Sequence, residues 1–166
     1  MGLEKTIVWV ATHPTMDNGT YIDDLRYDGY RVDTFTNAQA AVSAFQRTRY
    51  DLIVTGAGIP ALAIGEKYAD PRMEQIVKGW GGGHGLQTEI VLRMMELARQ
   101  EPSLNGATPI LVADVYEPEN DDLIPGIRAK FLRAGAVGYY SLLDDVRDPL
   151  RHPGGVVGRI KELLRS

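Results

Sequence analysis

Two imidazoles, one carboxylate and a run of glycines are the residues in this sequence best suited to chemistry. His13, His84 and Asp114 could hold a metal ion if the fold gathered them, because imidazole and carboxylate together suit first-row cations. Glu117 is near enough in sequence to join them. No tight spacing such as His-x-x-x-His supports the set, and loop histidines are more often solvated than bound, so no metal is expected. His152 precedes Pro153 and has no partner in view. The run Gly79–Trp80–Gly81–Gly82–Gly83–His84–Gly85 leads into a helical pattern, whose first amides favour anions. It lacks the Lys–Ser/Thr pair of a nucleotide-binding loop. The chain has no cysteine, which removes disulfides, thiolate zinc sites, iron–sulfur clusters and cysteine nucleophiles. No cofactor is expected.

These residues must be positioned by a folded scaffold, and the composition is that of one. At 166 residues the chain suits a single domain, and 44% hydrophobic with 24% charged residues is ordinary globular usage. The net charge is −4, with basic residues scattered rather than clustered, which argues against nucleic-acid binding. No apolar stretch approaches the roughly 20 residues of a membrane span, and Met1–Gly2–Leu3–Glu4–Lys5 has no signal-peptide features. A cytoplasmic location is the expectation, with a protein or small-molecule partner.

Strand-like and helix-like patterns alternate along the chain. Residues 6–11, 50–55, 109–113 and 137–141 read as buried strands, and 31–35 alternates as a half-buried one. Between them, Tyr21, Ile22 and Leu25 mark a short helix closed by Gly29, and Asn37 is placed to cap a helix over 38–48. Further helices are predicted over 86–100, 120–134 and 153–164. Five strand–helix alternations predict a doubly wound parallel sheet. In its centre, Ile53, Val54, Leu111 and Val112 should form the core.

Three segments carry a family resemblance. Tyr50–Asp51–Leu52–Ile53–Val54–Thr55–Gly56–Ala57–Gly58–Ile59–Pro60 resembles the third strand and turn of response-regulator receiver domains, a YDLII(S/T)DxxMP pattern. Thr108–Pro109–Ile110–Leu111–Val112–Ala113 resembles the family's fourth strand, and Arg133–Ala134–Gly135–Ala136–Val137–Gly138–Tyr139–Tyr140 its AGAxGY entry to the fifth. The resemblance implies a flavodoxin-like α/β fold, a five-stranded parallel sheet in the order 2-1-3-4-5, with function at the carboxyl ends of strands one, three and four.

Departures from the family pattern fall at all five chemical positions. Ala11 and Thr12 stand where the family has the acidic pair that holds Mg²⁺, and Gly56 where it has the phosphoaccepting aspartate. Asp114 takes the hydroxyl position and Leu142 the lysine position; a shift of one residue would put Ala113 or Val115 at the former, neither of which has a hydroxyl. Ala11 and Gly56 offer no hard oxygen ligand to Mg²⁺, and Gly56 offers no nucleophile. Leu142 removes the cation that would offset a transferring phosphoryl group. The resemblance therefore implies a degenerate pseudo-receiver, not an enzyme, that works by binding a protein: a kinase, a regulator or itself as a homodimer.

Residues 61–84 form an insertion after the third strand that exceeds what this turn needs, and such long connections are usually functional or disordered. Trp80 is its candidate anchor, with Ile64, Tyr68, Met73, Ile76 and Val77 available to dock it over the former active site. Tyr139 and Tyr140 are further candidates for partner binding, and as adjacent strand residues they point to opposite faces. In receivers the partner face commonly combines the fourth helix, fifth strand and last helix. The rival reading is a small-ligand or metal sensor, or a vestigial enzyme, using the emptied pocket. A cobalamin site would need an Asp-x-His-x-x-Gly loop, which Thr12–His13–Pro14–Thr15–Met16 does not supply.

Overall fold

Side chains alternate across a strand, so a strand buried on both faces feeds two cores, and here one sheet divides two hydrophobic layers. The computed structural model describes residues 4–12, 18–62, 67–68, 71, 74, 84–115, 126–147, 150 and 152–165. In chain order the described elements are β1 (Thr6–Val10), α1 (Gly19–Tyr27), β2 (Arg31–Phe35), α2 (Ala38–Arg47), β3 (Leu52–Thr55), α3 (His84–Arg99), β4 (Ile110–Asp114), α4 (Ile127–Arg133), β5 (Gly138–Ser141), α5 (Asp144–Arg147) and α6 (Gly155–Arg165). All strand pairs are parallel and the order is β2-β1-β3-β4-β5. This is the doubly wound, flavodoxin-like architecture.

Val8, Val10, Ile53, Ile110, Val112 and Tyr139 face one layer, closed by α2, α3 and α4 through Phe45, Val91, Met94 and Phe131. Ile7, Trp9, Leu52, Val54, Leu111 and Tyr140 face the other, closed by α1 and α6 through Leu25, Val156 and Ile160. The predicted central residues are all buried, with Ile53 and Leu111 each 1% exposed and Val54 and Val112 fully covered.

Local signals set most boundaries. The Asn37 side chain accepts the Ala40 N–H at 2.9 Å and starts α2, and Gly29, at φ +95°, supplies the left-handed turn after α1. The fourth helix is described over Ile127–Arg133, preceded by Gly126 at φ +70°. The first part of the 120–134 prediction lies outside the described residues. The last helix begins two residues later than predicted, after Gly154 at φ +81°, and is preceded by the short α5, which the sequence pattern did not announce. Among the described residues no helix is long and apolar enough to cross a membrane.

Candidate functional site

In a parallel sheet all strands end at one edge, so residues following β1, β3, β4 and β5 converge whatever their spacing in sequence. Ala11, Thr12, Gly56, Asp114 and Leu142 do converge, lining one cavity of about 530 Å³ together with Asn18 and Gln87. Backbone bonds hold the edge in register: Gly56 N–H donates to the Val10 carbonyl at 2.9 Å and Ala11 N–H to the Phe35 carbonyl at 3.1 Å. Leu142 N–H donates to the Asp114 carbonyl at 2.8 Å.

The Asp114 carboxylate is the chemical centre of this edge. Its Oδ2 accepts the Ala57 N–H at 2.7 Å and its Oδ1 accepts the Val115 N–H at 2.7 Å, so one side chain ties the loop after β3 to the loop after β4. Charge-assisted bonds of this kind are among the stronger ones a protein makes. The position next to it is Gly56, where a Cβ would lie 3.1 Å from Asp114 Oδ2, closer than ordinary van der Waals contact. Glycine at 56 and aspartate at 114 are thus one arrangement: the carboxylate leans across the space that a side chain at 56 would enter. The loop beneath is fixed from the other side by Thr88, a buried α3 residue whose hydroxyl donates to the Ala57 carbonyl at 3.1 Å.

The rest of the lining is uncharged. Ala11 and Leu142 are buried and apolar, Thr12 is exposed, and Asn18 is buried with its Oδ1 lacking any hydrogen-bond partner. Among the described lining residues there is one carboxylate and no cation. Among the described residues a phosphoryl group would meet repulsion from Asp114 and no offsetting charge, and Mg²⁺ would meet a single carboxylate both of whose oxygens already accept main-chain N–H groups.

The other candidates separate. His13, Glu117 and Trp80 lie outside the described residues, as do most residues of the 61–84 insertion and the side chain of His84, which opens α3. Among the described residues no three His, Cys, Asp or Glu side chains gather to hold a metal. The first residues of the insertion are tied to α2: the Ala38 and Gln39 N–H groups donate to the Pro60 and Ala61 carbonyls, each at 3.0 Å. The Gln39 side-chain amide reaches the Lys67 carbonyl at 3.0 Å, and Tyr68 packs on the α2–α3 layer.

Tyr139 and Tyr140 require a correction as partner anchors. They do point to opposite faces, but at 9% and 5% exposure both rings belong to the core layers. Tyr139 packs against Phe131, with ring centroids 6.1 Å apart, under the Arg128 guanidinium. The Tyr140 hydroxyl donates to Asp145 Oδ1, and burial, reinforced by that carboxylate, pushes its pKa well above the usual phenol range. His152 does have a partner, Asp144 at 3.4 Å, and stands against the Tyr140 ring.

Sequence reasoning missed Asn18 and Gln87 at the cavity and Asp145 behind β5. Asn18 carried a readable signal, an Asn just before a helix start; Asp145, which also accepts the Val156 N–H at 3.1 Å, carried none beyond its place in an acidic pair.

No family model matches the sequence, and no curated protein matches it. Many solved structures match the fold. The Francisella response regulator 1452 receiver domain aligns at 12% identity with a TM-score of 0.61, over 98% of both chains. A response regulator from Thermotoga maritima aligns at 19% identity and 0.58, over 99% of this chain and 100% of that one. The receiver domain of the sensor histidine kinase PA1611 from Pseudomonas aeruginosa PAO1, with a magnesium ion coordinated in its active-site cleft, aligns at 22% identity and 0.56, over 98% and 96%. At these identities the likeness establishes a shared receiver fold.

Proposed function

We propose that this receiver-fold chain is a pseudo-receiver, a single-domain signalling or scaffold module that works without phosphorylation by binding a protein partner, whether a kinase, a regulator or a second copy of itself. The observation that carries the reading is the Asp114 carboxylate leaning over Gly56, bonded to the Ala57 and Val115 amides where a phosphoacceptor side chain would project. No catalytic step, cofactor, nucleic acid or membrane enters it.

A binding face is supported by the surface around β5, an edge strand of the sheet. There a groove of about 360 Å³ is lined by Leu132, Val137, Arg128, His152 and Arg159. Leu132 and Val137 are 45% and 43% exposed, large apolar side chains beside one another on the helix–strand–helix face that receivers commonly use. The edge strand adds main-chain groups that a partner could engage.

Incubation with acetyl phosphate and Mg²⁺, followed by intact-mass measurement, tests the phosphorylation-independent part; the mass should not change. A stoichiometric gain of one phosphate on an acidic residue would overturn it. Partners recovered from the native cell by the parent chain should be lost on Leu132→Glu or Val137→Glu.

A second reading, a small-ligand sensor, is favoured by one observation. The 530 Å³ cavity falls within the range of about 300–1,000 Å³ common for small-molecule sites, and the unpartnered Asn18 oxygen stands in its wall. Under it the ligand is neutral or cationic, since the described lining carries one negative charge.

A further inference from the structure

We propose that the groove between α3 and α4 binds an acidic segment of a partner protein, with Arg93 as the anchor for one of its carboxylates. This gives the protein-binding reading a second surface and a partner chemistry, and it rests on that reading only in taking the occupant to be a protein.

The chain as a whole carries a net charge of −4, yet the described lining of this groove, about 640 Å³ in volume, has Arg93, Arg99, Lys130 and Arg133 against Glu89 and Glu96. The cations are not equally engaged. Arg99 donates to the Asn105 carbonyl at 3.1 Å and to the Thr108 carbonyl, holding the turn before β4. Lys130 stands 4.0 Å from Glu89, a loose surface pair worth little in water. Arg133 is exposed and has no ion-pair partner among the described residues.

Arg93 is the unusual member. Its side chain is only 9% exposed, its Nη1 meets Glu96 Oε2 at 2.6 Å, and its Nε and Nη2 have no hydrogen-bond partner. Guanidinium donors removed from water without acceptors are unfavourable, so the position demands an acceptor that the described residues do not supply. A carboxylate entering the groove meets that demand, because the planar fork of arginine donates two N–H groups to the two oxygens of one carboxylate. The groove is too large for one small anion, and Leu92 and Ala134 give its walls apolar surface suited to the side chains of a peptide. Charge and size together select an acidic peptide over inorganic phosphate.

Titration of the full-length chain, labelled for amide NMR, with a Glu-Leu repeat peptide tests the proposal, with a Gln-Leu repeat and inorganic phosphate as comparison arms. Saturable shifts centred on α3 and α4 are expected with the Glu-Leu peptide alone, weakening as salt is raised. Arg133→Gln, an exposed change that spares the fold, and Arg93→Met should each weaken binding by about ten-fold. If Arg93→Met fails to fold, Arg133→Gln decides alone. Absence of saturable shifts, equal binding of the Gln-Leu peptide, unchanged affinity in Arg133→Gln, or displacement of the peptide by stoichiometric phosphate would each overturn the proposal. None of these outcomes touches the acetyl phosphate result, so the two readings fail separately.

Discussion

The two edges of the sheet handle buried polarity in opposite ways. At the amino edge, Asn105 is fully buried and every polar atom of its side chain is engaged: Oδ1 accepts the Tyr50 N–H at 2.8 Å, and Nδ2 donates to the Phe45 and Thr48 carbonyls at 3.0 and 2.8 Å. Thr108 closes the network by donating to Tyr50 O at 3.1 Å and Asn105 Oδ1 at 3.0 Å. At the carboxyl edge, Asn18 is nearly as buried, but its Oδ1 has no partner, and a cavity opens beside it. A satisfied network makes one edge a structural clamp; the open edge keeps unsatisfied polarity where a receiver places its chemistry.

The comparison breaks if the same truncation costs the same at both edges. Asn105→Ala leaves the buried Tyr50 N–H without its acceptor and removes the amide donor from the Phe45 and Thr48 carbonyls, and should cost about 2–5 kcal/mol, whereas Asn18→Ala removes no side-chain bond among the described residues and should stay within about 0.5 kcal/mol. Denaturant midpoints measure both.

Asp114 ties two loops together at the open edge, and Asp114→Ala should cost about 1.5–3 kcal/mol through its bonds to the Ala57 and Val115 amides. Amide exchange should quicken at Ala57 and Val115, the two donors, before it does elsewhere. A loss below a few tenths of a kcal/mol would mean that the carboxylate does not tie the two loops.

Gly56→Asp sharpens the point by adding a second carboxylate beside Asp114. Alone it forces two carboxylates together and should destabilise by about 1–3 kcal/mol. Adding Asp114→Thr should recover much of that loss, a coupling that a double-mutant cycle reads directly. Additive effects would show that the two positions do not share one space.

A modest effect at the clamped edge depends on pH and is lost in alkali. Burial, helped by the hydrogen bond to Asp33 at 2.8 Å, pushes the Tyr50 pKa from 10.0 up to about 12. The folded chain holds this proton more tightly than the unfolded one, so the contribution is fully present below about pH 10 and is lost as pH rises towards about 12. Tyr50→Phe should lose about 1 kcal/mol at neutral pH and show a shallower fall in stability across that window.

How much of this was legible beforehand depended on whether the cause was local. Asn37 announced its helix because an N-cap bonds three residues away, and Gly29 its turn because φ alone demands glycine. Asn105 gave no such signal, since its main-chain partners Tyr50, Phe45 and Thr48 lie 55 to 60 positions away. The opposite facing of Tyr139 and Tyr140 follows from strand alternation alone, but only the helices laid over them show that both rings are core.

The amino-acid sequence alone determined the alternation of strands and helices and the two-faced burial of the central strands, because both follow from residue type and short-range periodicity. Tertiary structure decided how the side chains at the carboxyl edge of the sheet meet. Asp114 and Ala57 are 57 positions apart, and only the pairing of β3 with β4 brings the carboxylate to that amide and over Gly56. Arg93 Nε and Nη2 are likewise buried without acceptors only once α3 is packed in place. Contacts between distant side chains depend on which elements become neighbours, and periodicity does not record that.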